Sequence, residues 1–246
     1  MTLVQTFSPA VGCVSCVIPV YNEATRIAGV LAAVVGHPLV AEVIVVDDAS
    51  TDDTVRIVNS VKAVRLVCLD RNRGKTWALH VGLQASTNSV LLLLDGDLIG
   101  LTAAHITSLI SPVLEGRAEV ALSLRENTPT IWKLIGLDYI SGERVFGRDL
   151  LKDRLDAIEA LPRFGFEVYF NTVLVERKYR IAIVPWRGVK SPSKNAKYGF
   201  PRGMLADLRM ISDILRSASP FELVRQIGIL LRLRVKPSPR RFRQLT

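Results

Sequence analysis

The 246-residue sequence predicts an α/β fold with a mostly parallel central sheet and helices on both of its faces. Short apolar runs rich in β-branched residues alternate with helical segments in the first half, and 49% of the residues are hydrophobic, enough for one substantial core. No Gly/Ser-rich or acidic linker interrupts the periodicity between Val14 and Ile214. We therefore expect one domain over residues 1–218 and a basic amphipathic tail over residues 219–246.

In the first half, predicted strands and helices alternate along the chain. The predicted strands are Cys13–Ile18, Val43–Val46, Val64–Leu69 and Val90–Leu94. The predicted helices are Glu23–Val35, Asp53–Ser60, Lys75–Ala85 and Thr102–Leu114. This order is typical of parallel strands joined by helical crossovers.

The second half has a less regular pattern. Strands are expected at Glu119–Leu124 and Arg180–Val184, and helices at Leu151–Leu161, Glu167–Lys178 and Met204–Leu215. Between them, Ser191–Tyr198 is predicted to be a polar, basic loop. The segment from Phe221 onward mixes apolar residues with many arginines, a composition that suits an anionic lipid surface or a partner protein.

Polar residues follow each of the first four predicted strands. Ligands of such sheets bind beyond the carboxyl ends of the strands, so these residues are expected to share one site. The most informative group is Asp95-Gly96-Asp97, which follows four leucines. Two carboxylates two residues apart can turn toward one hard cation, and the glycine allows the tight backbone between them. Solvated turn acids are the alternative for an isolated D-x-D, but the position at a strand end favours a Mg²⁺ or Mn²⁺ site.

Two further strand ends carry candidate ligand-binding groups. Asp47 and Asp48 can accept hydrogen bonds from a base or from ribose hydroxyls, while Ser50 or Thr51 caps the next helix. The tripeptide Gly74-Lys75-Thr76 lacks the earlier glycine of a phosphate-binding loop, which argues against an NTPase. With its neighbouring basic residues it remains a candidate element facing a diphosphate.

Four motifs occur along the chain in this order: VIPVYNE, VIVVDDASTDDT, RNRGKTWALHVGLQAS and LLLLDGD. In these motifs the sequence resembles the family 2 glycosyltransferases with the GT-A fold. The resemblance covers roughly residues 14–200 and implies a nucleotide-sugar donor, UDP- or GDP-linked, with Asp97 as the principal metal ligand. It also implies that Pro19, Tyr21, Glu23 and Asp48 surround the nucleoside, with Arg73 or Lys75 near it. The strand-end residues Asp47, Asp95 and Gly96 complete the expected donor site.

Further along, the resemblance extends to the acceptor-side segments of polyprenyl-phosphate sugar synthases and glucosyl-phosphoglycerate synthases. It implies that Gly142 and Arg144, together with Lys194 and Lys197 of the basic loop, contact a phosphate-bearing acceptor, and a solvated loop is the alternative for the two lysines. Glu167 is the candidate general base, although it would also stabilise the start of its helix and an ionised phosphate acceptor would need no base. Members of the family often have a late histidine or acid as a third metal ligand. Here the third ligand is expected to be water or an acid such as Glu143, which is also a candidate catalytic residue beside Glu167.

All three histidines precede the late segment, and His80 and His105 are expected to be structural. Two of the three cysteines, Cys13 and Cys16, form a C-x-x-C inside an apolar run, which favours strand thiols over a redox or metal site. The low cysteine count and the absence of a signal-like start favour a cytoplasmic protein. Such a protein could also attach peripherally to the inner face of the membrane.

The net charge of +9 indicates an anionic partner: nucleotide phosphates, a lipid surface or nucleic acid. Nucleic acid is not expected, since the tail offers only Phe221 and Phe242 for stacking. Nucleotidylyl transfer from an NTP to a sugar phosphate is an alternative activity. It is disfavoured because the first strand is followed by Val20-Tyr21-Asn22-Glu23 and not by a glycine-rich basic loop.

Overall fold

Seven strands form one sheet in a computed structural model that describes residues 12–162, 165–192, 212 and 219–235. They are β1 (Val14–Val20), β2 (Val40–Asp47), β3 (Val64–Cys68), β4 (Val90–Leu93), β5 (Val120–Arg125), β6 (Arg144–Gly147) and β7 (Ile181–Trp186). The order across the sheet is β3-β2-β1-β4-β6-β5-β7. Only β6 runs antiparallel to its neighbours, β4 and β5. The predicted α/β fold with a mostly parallel sheet is confirmed.

Eight α-helices and one 3₁₀ turn lie between or after the strands in the described residues. The helices are α1 (Ile27–Val34), α2 (Thr54–Asn59), α3 (Lys75–Ala85), α4 (Ala103–Leu114), α5 (Thr130–Ile135), α6 (Leu155–Glu159), α7 (Phe166–Arg177) and α8 (Pro220–Arg232), and the 3₁₀ turn is Arg148–Leu151.

The core lies on both faces of the sheet because alternate strand residues point to opposite sides. In β4, Leu92 packs on one face with residues of α1 and α4. Its neighbours Leu91 and Leu93 pack on the other face with residues of α3 and α7. Strands buried on both faces explain the unbroken apolar runs in the sequence.

The predicted first helix begins four residues late. The chain before Ile27 is instead bound to the start of α2 and to the loop before it: Glu23 N donates to Thr54 Oγ1, and Ala24 N donates to Asp52 Oδ2. These side-chain hydrogen bonds replace the helical ones.

Differences are larger in the second half of the chain. The predicted helix Leu151–Leu161 is a 3₁₀ turn followed by the short helix α6. Strand β6 and helix α5 were not predicted, because each is too short to show a hydrophobic period. Apart from Ser212, the predicted helix Met204–Leu215 lies outside the described residues.

Helix α8 packs against α7 and is joined to the sheet. The Gln226 side chain accepts a hydrogen bond from Tyr139 Oη at 2.6 Å and donates one to Thr172 Oγ1 at 3.1 Å. Leu230 is fully buried, and Val235 N donates to Ile181 O in β7. Residues 219–235 thus lie against the domain, and we now propose that the domain extends to residue 235.

No helix in the described ranges is both long and apolar enough to cross a membrane.

Candidate active site

The carboxyl ends of β1, β2 and β4 meet at one edge of the sheet. Val20 pairs with Asp47 across β1 and β2, and Leu94 N donates to Val17 O. A β-carbon on Gly96 would lie 2.6 Å from Val20 Cγ1 and 3.3 Å from Pro19 O. Only a glycine therefore allows the loop after β4 to lie directly on the end of β1.

The loops after β1 and β2 are fastened to each other around Asn22. Its backbone N donates to Ser50 Oγ at 2.9 Å, and its Oδ1 accepts from Thr51 N at 2.8 Å. Asn22 has a φ of 56°, a left-handed conformation that asparagine tolerates better than most residues. The two flanking candidates, Tyr21 and the buried Glu23, are thereby held at this edge.

Asp48 organises the loop that leads into α3. Its two carboxylate oxygens accept hydrogen bonds from Arg73 N and Gly74 N, each at 2.7 Å. Gly74 has a φ of 97°, which favours glycine. The Arg73 guanidinium lies over the Trp77 ring, 3.2 Å from its centroid.

Asp47 offers a buried acceptor at the same edge. Its Oδ2 accepts from Ser50 N at 2.9 Å, whereas its Oδ1 is buried and has no hydrogen-bond partner among the residues that the structure describes. A buried carboxylate oxygen without a partner is costly, so this atom is a candidate contact for a ligand N–H or hydroxyl.

Lys75 joins the acid loop, residues 95–97, to the start of α7. Its Nζ lies 2.6 Å from Asp95 Oδ1 and 2.8 Å from Glu167 Oε1. Burial by itself would lower the pKa of Lys75, but the two carboxylates outweigh it and hold that pKa above its usual range. The fold thus brings Asp95, predicted on the donor side, and Glu167, predicted on the acceptor side, into contact with the same ammonium group.

Gly142 packs directly against this ion pair. A β-carbon at residue 142 would lie 2.5 Å from both carboxylate oxygens of Asp95 and 2.6 Å from Lys75 Nζ. Gly142 was predicted as an acceptor contact. The structure also gives it a packing role, because any side chain there would collide with the ion pair.

Arg125, which sequence reasoning missed, is the second cation of the site. Its Nη1 lies 3.3 Å from Glu143 Oε1 and 3.9 Å from Asp95 Oδ2, and its Nη2 lies 3.6 Å from Asp138 Oδ2. Burial would lower the pKa of Arg125, but these carboxylates raise it above its usual range. Arg125 ends β5, so the strand-end rule applied to the second half of the chain would have found it.

Ser191, likewise missed, connects Arg125 to Asp97. Arg125 Nη1 donates to Ser191 Oγ at 2.5 Å, and Ser191 Oγ donates to Asp97 Oδ1 at 3.2 Å. No signal in the sequence distinguishes this serine, since its importance depends on the contact between two distant segments.

Glu143 is fully buried in a polar cluster. Its Oε2 accepts hydrogen bonds from Ser123 Oγ at 2.6 Å and Ser141 Oγ at 3.0 Å. Burial raises its pKa, against the opposing effect of Arg125. Glu143 has no exposed surface from which to reach an acceptor or a cation, so we do not propose it further as a catalytic group or metal ligand.

Arg144 occupies the interior as well. Its guanidinium donates to Ser141 O, Asn171 Oδ1 and Tyr139 O, and no part of the residue is exposed. The prediction that Arg144 contacts an acceptor phosphate does not fit this placement. The physical reason is that β6, which was not predicted, carries its side chain into the space between the sheet and α7.

Asp97 is a candidate ligand for a divalent cation. Five carboxyl groups surround two cations here: Asp95, Asp97, Asp138, Glu143 and Glu167 against Lys75 and Arg125. In the described part of the chain no three His, Cys, Asp or Glu residues are arranged to hold a metal by themselves. Mg²⁺ commonly binds through one or two carboxylates and completes its shell with water and substrate phosphates. Asp95 is paired with Lys75 at 2.6 Å, and Asp97 remains the predicted principal ligand.

His80, His105 and Cys16 take structural places. His80 Nδ1 lies 3.1 Å from Leu155 O, and His105 caps α4 with Thr102 and contacts Arg187 O. Cys16 is buried within β1, and burial raises the pKa of its thiol. Lys194 and Lys197 lie outside the described residues, so their predicted phosphate contacts stay predictions.

Sequence comparisons match this chain to a family and to several curated proteins. A family model described as glycosyl transferase family 2 matches residues 15–172, more than half of the chain. The dodecaprenyl-phosphate galacturonate synthase of Rhizobium johnstonii is 33% identical over 124 residues, 46% of this chain and 36% of that protein. The undecaprenyl-phosphate 4-deoxy-4-formamido-L-arabinose transferase of Aeromonas hydrophila is 30% identical over 128 residues, 48% of this chain and 39% of that protein. The chain thus spans well under half the length of these relatives.

Solved structures share the fold. Glucosyl-3-phosphoglycerate synthase from Mycobacterium tuberculosis, in complex with Mn²⁺, UDP and glucosyl-3-phosphoglycerate, superposes with a TM-score of 0.66. The match has 24% sequence identity and covers 84% of this chain and 80% of that one. The same synthase with Mg²⁺ and UDP gives a TM-score of 0.67 at 23% identity, covering 84% and 79%.

Proposed function

The chain belongs to glycosyl transferase family 2, and on that premise we propose that it transfers a sugar from a UDP- or GDP-sugar to a phosphate-bearing acceptor. The observation that carries the proposal is the Lys75 ammonium, which lies within 2.8 Å of both Asp95 and Glu167. One cation thereby joins the acids at the two ends of the proposed reaction, beyond the carboxyl end of the sheet.

On the donor side, the nucleoside is proposed to bind at the ends of β1 and β2. The buried Oδ1 of Asp47 supplies an acceptor there, and the turn at Asn22 positions Tyr21. Asp48 contributes by holding the Arg73-Gly74 backbone at the start of α3. The start of a helix is a favourable place for phosphate oxygens.

The diphosphate is proposed to lie at the loop that contains Asp97. Mg²⁺ or Mn²⁺ held there would take up negative charge on the departing nucleoside diphosphate. The synthase structures that contain Mn²⁺ or Mg²⁺ together with UDP support this assignment. Asp97 is the proposed carboxylate ligand, while Asp95 pairs with Lys75.

On the acceptor side, Glu167 is the proposed general base for an acceptor hydroxyl. Its carboxylate would take the hydroxyl proton as the acceptor oxygen bonds to the sugar carbon and the bond to the diphosphate breaks. For an acceptor phosphate, which is already ionised, no proton moves and Glu167 serves only to hold Lys75. In both cases Gly142 keeps the floor of the site clear of side chains.

The acceptor is proposed to carry a phosphate because both groups of similar proteins act on such molecules. The two curated relatives described above are named for polyprenyl phosphates, and one of the synthase structures contains glucosyl-3-phosphoglycerate. The shared chemistry is a phosphate monoester, either on a lipid or on a small soluble acid.

A donor screen tests the proposal. UDP- and GDP-sugars are compared by thermal shift with and without Mn²⁺, since a ligand that binds the folded state raises its stability. The stabilising donor is then incubated separately with a polyprenyl phosphate and with 3-phosphoglycerate. Release of free UDP or GDP with a glycosylated product supports the proposal and identifies the acceptor class. Pyrophosphate release from an NTP would instead indicate nucleotidylyl transfer.

We also propose that α8 places the protein on an anionic membrane surface. Phe221 and Val224 are 79% and 70% exposed, and Arg225 and Arg232 share the outward side of the helix. Exposed apolar residues next to arginines suit the boundary of an anionic lipid layer. Peripheral attachment of this kind would bring the site close to a lipid-linked phosphate.

A further inference from the structure

Ser191 completes a directed chain of hydrogen bonds from Arg125 to Asp97. Its Oγ accepts from Arg125 Nη1 at 2.5 Å and lies 3.2 Å from Asp97 Oδ1. A serine hydroxyl has one proton, and because a guanidinium can only donate, that proton is left for the Asp97 carboxylate. The orientation of Asp97 is therefore linked to the position of Arg125.

The backbone holds Ser191 in place independently of the Asp97 side chain. Asn127 Nδ2 donates to Ser191 O at 2.6 Å, and Ser191 N donates to Asn127 Oδ1 at 3.2 Å. The adjacent Lys190 exchanges two backbone hydrogen bonds with Ile99, at 2.8 and 3.0 Å. Ile99 lies two residues after Asp97, so the residue before Ser191 is bound to the segment that carries Asp97.

Arg125 is fixed at the other end of the chain. It ends a strand, and its guanidinium is surrounded by Glu143 and Asp138 as well as Ser191. A hydroxyl placed between a fixed guanidinium and a carboxylate has little freedom to rotate. Its hydrogen bond to Asp97 is thus available before any ligand arrives.

We propose that Ser191 is a positioning residue for Asp97, which sets the orientation of that carboxylate for a divalent cation and a diphosphate. This inference rests on the proposed function. Removing a residue that orients a metal ligand typically lowers metal affinity by about 10–100-fold. Ser191→Ala is expected to weaken Mn²⁺ binding by about 10-fold while changing nucleotide affinity without metal by less than about 2-fold.

The test measures Mn²⁺ affinity directly, by electron paramagnetic resonance of free Mn²⁺ in the presence of UDP or GDP. The nucleotide used is the one that gives Mn²⁺ binding with the wild type. Ser191→Thr keeps the hydroxyl and is expected to retain most of the affinity. Ser60→Ala is the matched control, because the Ser60 hydroxyl contacts only Ile57 O on the surface of α2 among the hydrogen bonds described.

The outcomes separate the inference from the proposed function. If Ser191→Ala melts at a lower temperature but binds Mn²⁺ like the wild type, the serine is merely structural and the inference is overturned. If the wild type binds no Mn²⁺ with either nucleotide, the metal-dependent donor site itself is overturned, and the inference with it. Weakened Mn²⁺ binding by Ser191→Ala, with retention in Ser191→Thr, supports the inference.

Discussion

Gly142 lies so close to Asp95 that a β-carbon on it would fall 2.5 Å from both carboxylate oxygens. Gly142 precedes β6, and Asp95 follows β4, to which β6 is paired. The antiparallel pairing of these strands therefore places the backbone of Gly142 next to the acid loop. A glycine in that floor leaves room for the contact between Asp95 and Lys75.

Gly142→Ala is expected to break this contact and to lower sugar transfer by more than about 10-fold, since overpacking of a closely packed site forces its neighbours to move. Steady-state kinetics with the donor found in the screen measure the effect. Gly147→Ala, in the same strand region but with no atom within 4 Å of the new β-carbon, is the control and should retain activity. Equal activity of both variants would contradict the packing argument.

Asp97→Asn keeps the shape of the side chain but removes its charge. We expect turnover to fall by at least about 100-fold, because a metal ligand that stabilises the leaving diphosphate contributes several kcal/mol. Thermal shift with UDP should lose its dependence on Mn²⁺. The control is Asp53→Asn, which removes an exposed partner of Arg56. Mn²⁺-dependent stabilisation of the Asp97 variant would show that the metal binds elsewhere.

Lys75→Gln removes the ammonium shared by Asp95 and Glu167. Both carboxylates would lose a charged partner in a largely buried setting, so we expect the free energy of unfolding to fall by about 1–3 kcal/mol and transfer to be lost. Urea denaturation measures the stability change. Lys75→Arg should recover part of both losses, and the exposed Lys62→Gln should show neither. A fully stable, active Lys75→Gln would refute the role given to this lysine.

The protein should lose stability in mild acid through His37. Its Nδ1 accepts from Leu39 N, and its Nε2 contacts Thr107 Oγ1, an arrangement that needs the neutral ring. Burial lowers the pKa of His37 below 6.5, with partial opposition from the Ala103 carbonyl. The folded protein then binds fewer protons than the unfolded chain. Stability from this group is therefore complete above about pH 6.5 and is lost as the pH falls through the folded pKa.

Urea denaturation at a series of pH values checks this expectation. His37→Gln should be less stable than the wild type at pH 8 but should lose less stability between about pH 6.5 and pH 5, where the group contributes at most about 1.4 kcal/mol per pH unit. If the variant and the wild type lose equal stability on acidification, His37 is not the group responsible.

Phe221→Ser with Val224→Ser is expected to reduce binding to anionic vesicles by more than about 10-fold, because it removes exposed apolar area from the lipid-facing side of α8. Vesicle co-sedimentation measures the effect. Point variants are preferable to truncation after Ser219, which would also remove the buried Gln226 and Leu230. Ile99→Ser, another exposed apolar position, should leave binding unchanged. Undiminished vesicle binding would argue for another surface.

The sequence alone determined the fold class, the first four strands and the D-G-D loop at the end of one of them. Fully buried strands leave unbroken apolar runs, and parallel strands deliver their polar ends to one edge, so local patterns carry this information. The four ordered motifs by themselves indicate the family.

Only the tertiary structure decided how the acids and cations meet. The period of the hydrophobic residues indicates which face of a helix or strand is buried. It does not indicate which strands pair with each other. Insertion of the antiparallel β6 between β4 and β5 brings Gly142 under Asp95 and carries Arg144 into the interior. The same arrangement brings Arg125 near Asp97, through a serine that local sequence could not single out. Ion pairs between residues far apart in the chain depend on strand order, which is a property of the whole fold.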